Sequence, residues 1–230
     1  MKRIDLYGDG IGFVELVDQM GTDLTVVNAA RVSLGKHKES MDAKDEKLIN
    51  YLVEHKHTST FEHNCVTFRM KVPIYVRSQH HRHRTWSYNE ISRRYTDFNI
   101  EFYEPKSFRK QSKSNRQASY AGSFFDPPMP GDSLDVLASY RVHDHHRKSL
   151  DLFNKLIESG VCREQARGVL PQNMYTEYYG TVNLNNLLKF ISLRIHEGAQ
   201  WEIQELAKGM LEITEGLWPV AVKAFREQGE

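Results

Sequence analysis

The sequence predicts an α+β fold, with helices packed on a mostly antiparallel sheet in a single domain that spans residues 1–230. Apolar and polar residues alternate over residues 66–72 and again over 176–182, which is the period of a strand with one buried face. Segments with apolar residues at helical spacing precede, separate and follow these two stretches. This order of elements is typical of helices on a mainly antiparallel sheet.

The N-terminal part of the chain is predicted to contain a turn and two helices. Residues 8–12 (Gly-Asp-Gly-Ile-Gly) invite comparison with a dinucleotide-binding loop, but the third glycine is misplaced for that fingerprint, so a hairpin or turn is expected. Thr22 or Asp23 can cap a helix that ends before Gly35. Acidic residues near its start and apolar residues at helical spacing predict a second helix over Met41–Glu54.

The stretch after the first predicted strand suggests one more helix and one more strand. Pro73 suits the first turn of a helix that continues to about Arg84. Residues 98–102 again alternate between apolar and polar side chains and predict a strand.

Residues 104–132 differ from their surroundings, because they are rich in Lys, Ser, Gln, Asn and Pro and show little periodicity. We expect a long surface excursion there, either mobile or covering a ligand. A linker between domains is not favoured, because candidate functional residues lie on both sides. Asp132 or Ser133 then begins an amphipathic helix that is predicted to end at Ser159-Gly160.

Three more helical segments are predicted towards the C-terminus. A short helix over residues 163–170 is ended by the proline that follows it. Asn183 or Asn185 can cap the next helix, and a last helical region begins near Ala199 and is kinked near Pro219.

The composition is that of a globular enzyme of the cytoplasm. Hydrophobic residues make up 40% and charged residues 27% of the chain, and the net charge of +1 argues against a general coat for nucleic acid. Cys65 and Cys162 cannot build a disulfide framework, so isolated thiols in a reducing compartment are expected. Neither a signal peptide nor a membrane-spanning segment is predicted.

One basic cluster suggests a ligand. Between Arg77 and Arg94 the chain has five arginines and three histidines against a single acid, Glu90. Arginine side chains bind phosphate through paired hydrogen bonds, so such a cluster in a near-neutral protein suits a small anionic ligand. Glu90 suits a ribose hydroxyl, or it holds an arginine in place. A solvated basic face with capping residues explains the composition equally well.

The residues within this cluster carry a resemblance to a known family. Residues 82–94 match the signature of flavin-dependent thymidylate synthases, Arg-His-Arg-x-x-Ser-x-Asn-Glu-x-Ser-x-Arg, at every specified position. The resemblance extends along most of the chain. It includes Ala30-Arg31-Val32-Ser33, His57–His63, Gln79, Ala166–Pro171, Thr181-Val182-Asn183, Leu193-Arg194 and Ala199–Glu202.

The resemblance implies the reductive methylation of dUMP to dTMP in de novo nucleotide biosynthesis. In this family 5,10-methylenetetrahydrofolate supplies the carbon, and FAD reduced by NADPH supplies the hydride. The enzyme does not attack the pyrimidine with a cysteine, and neither cysteine of this chain lies in a cationic, activating context. The resemblance further implies a homotetramer whose active sites are shared between subunits.

Carried onto this sequence, the resemblance assigns two sets of binding residues and one catalytic arginine. The dUMP set is Gln79, His80, His81, Arg82, Glu90, Ile91, Ser92, Arg93, Arg94 and Arg167. The FAD set is Ser59, Arg82, His83, Arg84, Glu90, Asn183, Asn185 and Lys189. Arg194 is placed by the uracil, where its fixed charge favours ionisation at N3. Without the resemblance, an arginine that binds carbonyl groups at a helix end is the favoured interpretation of Arg194.

Two departures from the family pattern affect the flavin pocket. Asn185 stands where many relatives have arginine, and Lys189 stands where another polar contact to FAD is expected. Gly198 stands where relatives often have histidine, and His196 lies two residues earlier. We therefore expect a pocket rebuilt around Lys189 and His196, with His57 and Glu62 as further candidate residues for folate or flavin.

Two other classes of protein compete with this interpretation. A histidine–metal hydrolase is suggested by the histidines at 57 and 63, 80–83 and 143–146, but none has the spacing of a zinc enzyme, and no metal site is expected. A nucleic-acid-binding module is suggested by the basic cluster, but the acidic balance elsewhere argues against it.

Overall fold

The computed structural model describes residues 2–113, 119–131 and 136–229 and has an α+β architecture. The strands are β1 (Arg3–Asp5), β2 (Phe13–Met20), β3 (Cys65–Pro73), β4 (Ser87–Glu90), β5 (Phe108–Gln111), β6 (Ser119–Phe125) and β7 (Tyr175–Asn183). The helices are α1 (Asp23–Arg31), α2 (Ala43–Glu54), α3 (Ile74–His80), α4 (Ala138–Glu158), α5 (Arg163–Ala166), α6 (Leu184–Ile195), α7 (Trp201–Leu217) and α8 (Pro219–Gly229). Single turns of 3-10 helix lie at Val32–Leu34, Thr58–Phe61 and Arg167–Val169.

Two sheets are present among the described residues. The larger has five strands in the order β1-β2-β3-β7-β4, and β5 pairs with β6 in a two-stranded antiparallel sheet. β1 and β2 run antiparallel, with Ile4 opposite Val14. The turn between them contains residues 8–12, where the Asp5 carboxylate accepts the backbone N–H of Gly8 at 2.9 Å. The predicted hairpin is therefore confirmed.

The chain divides into two compact units. The first unit consists of the described residues within 1–70, 80–89 and 178–230, and the second of those within 71–79 and 90–177. In the described part of the chain, no helix is both long and apolar enough to cross a lipid bilayer.

The first unit is built on paired helices whose ends are tied by polar side chains. α6 packs on α7, and α2 packs on α8. The Asp23 carboxylate accepts the backbone N–H groups of Val220 and Ala221 at 2.9 and 3.0 Å, so a residue of α1 caps the first turn of α8. The Trp218 indole donates to Asn64 Oδ1 at 3.0 Å. Fully buried side chains of this unit include Val26, Ile49, Phe68, Leu187, Phe190, Ile203 and Met210.

In the second unit, α4 packs on α5 and on the 3-10 turn that follows it. Phe153 of α4 is fully buried. Nearer the start of the helix, the Nδ1 atoms of His143 and His146 lie 3.0 and 2.9 Å from the carboxylate of Glu104, and His146 stacks on Phe102. These polar contacts fix the segment around Glu104 to α4.

Most of the predicted helix ends are confirmed. The N–H of Thr22 bonds to Thr25 Oγ1 at 3.0 Å at the start of α1, and Asp42 caps α2 by accepting two backbone N–H groups. Asn183, rather than Asn185, caps α6, because its side chain accepts the N–H of Asn186 at 2.9 Å. The final helical region is divided at Pro219, as predicted.

Two predictions between residues 73 and 132 are wrong in detail. Pro73 ends β3, and the following helix stops at His80 instead of continuing to Arg84. Residues 98–102 do not form a strand, because Asn99 has a left-handed φ of 50° and only an isolated bridge joins Phe102 to the chain near β7. Within 104–132, the structure contains β5 and β6. The predicted helix start at 132 or 133 lies outside the described residues.

A buried carboxylate joins α2 to the segment that precedes it. Asp45 has no exposed side-chain surface and accepts Arg31 Nη2 at 2.6 Å, Lys38 Nζ and the backbone N–H of Asp42. Burial raises the pKa of Asp45, but the hydrogen bonds from Lys38 and Arg31 together outweigh it and hold the pKa at about 2. The ionised carboxylate therefore stabilises the native state.

We expect Asp45→Asn to lower the free energy of unfolding by about 3 kcal/mol at neutral pH, because two cations lose their partner. The folded pKa of about 2 lies below the ordinary value of 3.8, so this stabilisation is present above about pH 4 and disappears as the pH falls through 2. Denaturant unfolding of both proteins at several pH values measures the difference. The control is Asp151→Asn, which removes an exposed pair with Lys155 and should change stability little. Equal stability of Asp45→Asn and wild type at pH 7 would contradict the role of this carboxylate.

Candidate active site

The first part of the basic signature is a turn anchored by a buried histidine. The side chain of His80, the last residue of α3, is completely buried among Trp86, Tyr178 and Phe190. Its Nδ1 lies 2.8 Å from the Tyr178 hydroxyl, and burial holds the pKa of His80 well below its usual range. The imidazole is therefore a neutral core group. His80 is predicted to help bind dUMP through its backbone or its side chain, and the burial of the side chain favours the backbone.

Tyr88 of β4 fixes the shape of this turn. Its hydroxyl donates to the carbonyl oxygens of His80 and His83, at 3.0 and 3.2 Å, and its ring stacks on His81 with 4.0 Å between centroids. Held in this way, the turn leaves Arg82 and Arg84 exposed and His83 half-buried. The two arginines are thus available to ligands, and His83 points to the interior.

His83 and Arg194 are joined by a hydrogen bond in the first unit, and we call this pair the polar site of that unit. Arg194 lies in the last turn of α6, and its Nε donates to His83 Nε2 at 3.0 Å. Burial, reinforced by the charge of Arg194, lowers the pKa of His83 to about 4. His83 is therefore neutral near pH 7, with its proton on Nδ1, and it orients the guanidinium.

The first unit contains three neighbouring clefts, and Arg194 lines the largest of them. The largest, of about 740 Å³, is lined by Lys56, Lys189, Arg194 and His196 among others. A second, of about 330 Å³, shares Lys56 and Lys189, and most of its lining surface is apolar. The third, of about 520 Å³, contains His57 and Ser59. The structure thus gathers around these clefts residues that the sequence scatters from 57 to 196.

The two asparagines predicted to hold FAD have different surroundings. Asn183 is half-buried, and its side-chain oxygen caps α6. Asn185 is buried and lines the apolar cleft, where its amide donates to Glu62 Oε1 at 2.8 Å. Where many relatives have the charged side chain of arginine, this chain therefore has the neutral amide of Asn185, which is bonded to Glu62.

In the second unit, Glu90 holds an arginine in place. Its carboxylate lies 3.1 Å from Arg77 Nε and accepts the Thr176 hydroxyl at 2.6 Å. Of the two roles predicted from the sequence, the structure shows the one in which Glu90 positions a cation. Its side chain is still one-quarter exposed, which leaves a surface for a ligand.

Arg93 has a structural role that the sequence did not reveal. The side chain is buried and donates to the carbonyl oxygens of Phe98 and Asn99, at 2.6 and 3.2 Å. The guanidinium stabilises the bend at Asn99, where the predicted strand fails. The contribution of Arg93 to the dUMP site, through its backbone or its side chain, stays a prediction, and the contacts of the guanidinium favour the backbone.

The remaining predicted dUMP residues of the second unit lie on its surface. Gln79 and Ser92 are half-buried, whereas Ile91, Arg94 and Arg167 are exposed. Arg94 Nη2 lies 3.6 Å from Glu164 of α5, the helix that leads directly into Arg167. The structure thus brings Arg94 to the segment that carries Arg167, although the two are far apart in sequence.

Sequence reasoning missed Tyr88 and Lys56. Tyr88 occupies an unspecified position of the signature, so no pattern gave it a function. Lys56 follows the end of α2 and has a left-handed φ of 54°, a position that favours glycine. A lysine directly after a predicted helix end was the available signal.

No group of three or more His, Cys, Asp or Glu side chains suited to a metal ion occurs within the described ranges. The histidines at 143 and 146 instead share the carboxylate of Glu104.

Comparisons with known proteins show the family of this chain. Residues 15–220 match the family described as thymidylate synthase complementing protein. A flavin-dependent thymidylate synthase from Thermus thermophilus is 45% identical over 94% of this chain and 76% of that protein. The chain belongs to the flavin-dependent thymidylate synthase family. Another member, from Kosmotoga olearia, is 42% identical over 93% of this chain and 90% of its own.

A solved structure shares the fold of this family member. It is a UMP/dUMP methylase from Streptomyces cacaoi bound with 5-Br dUMP, and it is 34% identical to this chain with a TM-score of 0.79. The match covers 93% of this chain and 94% of the methylase. The helices and antiparallel sheet of the flavin-dependent thymidylate synthase family are therefore present here.

We expect the His83 imidazole to stay neutral above about pH 5. Since its folded pKa of about 4 lies below the ordinary 6.5, the native state binds fewer protons than the unfolded state between these values, and this residue makes stability fall as the pH drops through that window. Nitrogen NMR of labelled histidine measures the titration. Arg194→Gln should raise the His83 pKa only in part, because burial is the larger cause, and Arg147→Gln on the exposed face of α4 should leave it unchanged. A wild-type His83 that titrates near 6.5 would contradict the buried pair.

Proposed function

We propose that this protein converts dUMP to dTMP by reductive methylation, with 5,10-methylenetetrahydrofolate as carbon donor and FAD, reduced by NADPH, as hydride source. The observation that carries the proposal is the complete signature at 82–94, folded into a turn that orients His83 against Arg194 beside a cationic cleft. The S. cacaoi neighbour, which binds a bromo analogue of dUMP, supports the same substrate.

The first unit fits a flavin dinucleotide chemically. Lys189 and Arg194 line the largest cleft, and none of the nine described residues that line it is acidic. A pyrophosphate anion is stabilised by such surroundings. We assign FAD to Ser59, Arg82, His83, Arg84, Glu90, Asn183, Asn185 and Lys189, with His57, Glu62 and His196 at the flavin or folate side. When bound, the flavin supplies the hydride that completes the methyl group.

The exposed residues of the second unit suit the nucleotide. We assign Gln79, Ser92, Arg94 and Arg167 to dUMP through their side chains, together with Arg82, Glu90, Ile91 and His81. Arg94 and Arg167 bind the 5′-phosphate, because guanidinium groups match its oxygens with paired hydrogen bonds. Arg77 holds the carboxylate of Glu90 in place.

Arg194 supplies the charge for activation of the pyrimidine. Its guanidinium is a fixed double donor that stabilises negative charge on the ring, and it does not act as a base. The neutral His83 accepts from Nε and so orients the guanidinium. His83 is a positioning residue in this step.

We further propose that the enzyme is a cytoplasmic homotetramer with shared active sites. Several large apolar side chains are exposed, including Val32 and Leu34 in the first unit and Tyr95 and Phe98 in the second. Contacts with other subunits would cover such surfaces. Light scattering of the purified protein measures the mass, and a monomer that turns over at full rate would exclude shared sites.

The activity is tested with the purified protein, its visible spectrum and the release of tritium from 5-labelled dUMP in the presence of methylenetetrahydrofolate and NADPH. We expect a yellow protein and tritium release that requires the folate. UMP is assayed in parallel, because the S. cacaoi neighbour is a UMP/dUMP methylase. A colourless protein that cannot be reconstituted with FAD and releases no tritium refutes the proposal.

Arg194→Ala should retain flavin and lose roughly 100-fold or more in turnover, because a preorganised donor to the developing charge is removed. The visible spectrum and single-turnover kinetics separate flavin binding from chemistry. Arg147→Ala serves as the matched arginine control, since its side chain lies on the exposed face of α4. Unchanged turnover in Arg194→Ala removes this residue from the mechanism.

A further inference from the structure

Lys56 adopts a backbone conformation that a lysine does not favour. Its φ is 54°, and its N–H bonds to Val53 O at 3.0 Å while the next N–H, of His57, bonds to Leu52 O at 2.8 Å. This pair of hydrogen bonds is the pattern of a helix end at which glycine is preferred, because a Cβ is strained there. Within the described residues, only Lys56 and Asn99 combine a side chain with positive φ. Strain retained at such a position points to a use of the side chain.

The position of Lys56 in the first unit suggests what that use is. Lys56 lines all three clefts of this unit, and Lys189 lines two of them. Neither lysine forms an ion pair with any described residue in the structure. The apolar cleft next to them is walled by Phe61, Leu188 and Phe225. A ligand in which a flat apolar ring is followed by negatively charged groups matches an apolar wall next to two lysines.

We propose that Lys56 binds the carboxylates of the γ-linked glutamates that follow the first one in the folate tail, with the aminobenzoyl ring of the same folate against the wall around Phe225. This inference rests on the proposed function, because it concerns the tail of that folate. Lys56, Lys189 and Phe225 all line both the largest cleft and the apolar cleft. Each added γ-linked glutamate brings one more carboxylate into a cleft without acidic lining, so the chain prefers polyglutamylated folate.

The choice of lysine favours carboxylates over phosphates. The ammonium group of lysine, on its flexible stem, donates to carboxylates in varied positions, whereas the planar guanidinium of arginine matches the oxygens of a phosphate. The exposed arginines of the signature already serve as phosphate ligands. The phosphates of NADPH are also negatively charged and are therefore the alternative ligand of Lys56. Kinetics that vary the folate tail and the reductant separately distinguish the glutamyl carboxylates from these phosphates.

The test measures KM for mono- and triglutamyl methylenetetrahydrofolate, and for NADPH and NADH, in wild type, Lys56→Gly and Lys56→Asn. We expect KM for the triglutamate to rise about 5- to 10-fold in both variants, as for the loss of one charge pair in a partly desolvated site. KM for the monoglutamate, for dUMP and for both reductants should stay within about twofold, because these ligands lack the added glutamates that Lys56 binds. Lys56→Gly should also raise Tm by roughly 1–3 °C, since it relieves the strain.

Comparison of variants separates the charge of Lys56 from its backbone conformation. Lys56→Arg should keep the preference for triglutamate, because the charge remains. Lys47→Ala, on the exposed surface of α2, should behave as wild type. Lys56→Asn removes the charge but tolerates the left-handed conformation, so it separates the two effects.

The outcomes are distinguishable. Equal KM values for the two folates in wild type, or a triglutamate KM that Lys56→Gly and Lys56→Asn leave unchanged, overturn the role of Lys56 while the proposed function stands. A rise confined to NADPH assigns the lysine to the reductant and overturns the proposal. Wild-type protein that turns over neither folate refutes the proposed function, and the inference falls with it.

Discussion

The hydrogen bond from Arg194 to His83 joins two segments that are 111 residues apart, and the polar site of the first unit depends on it. His83 can accept this bond only because burial keeps it neutral, and burial follows from the shape of the turn after α3. Tyr88 closes that turn on the carbonyls of His80 and His83. The orientation of the Arg194 guanidinium therefore depends on aromatic packing around the turn and not on a network of charges.

The arginines of one short sequence cluster have different physical roles. Arg93 is buried and binds backbone carbonyls, and Arg77 is paired with Glu90. Arg82 and Arg94 are exposed and remain available to ligands. Because neighbouring residues leave a turn or strand in different directions, a compact motif supplies structural cations and binding cations together. This explains how a chain with a net charge of +1 can expose arginines within one short stretch of sequence.

Stability and binding oppose each other at the clefts of the first unit. Elsewhere in that unit polar groups are matched, as at Asp45, whose carboxylate satisfies Arg31, Lys38 and a backbone N–H. Lys56 instead combines a strained backbone with a side chain that has no ion pair among the described residues. Strain of this kind persists where the surrounding helix end fixes the conformation and the side chain has a function.

The sequence by itself determined the α+β class, most helix ends and the membership of the family, because periodicity, capping residues and the signature at 82–94 are local properties. It did not determine that Arg93 and the side chain of His80 are structural, that residues 98–102 bend at Asn99, or that β5 and β6 pair. These depend on what packs around each residue, and burial decides whether a guanidinium or imidazole faces a ligand or the core. Only the tertiary structure brought His83 to Arg194 and placed Lys56 beside three clefts, because those contacts join residues that no local pattern relates.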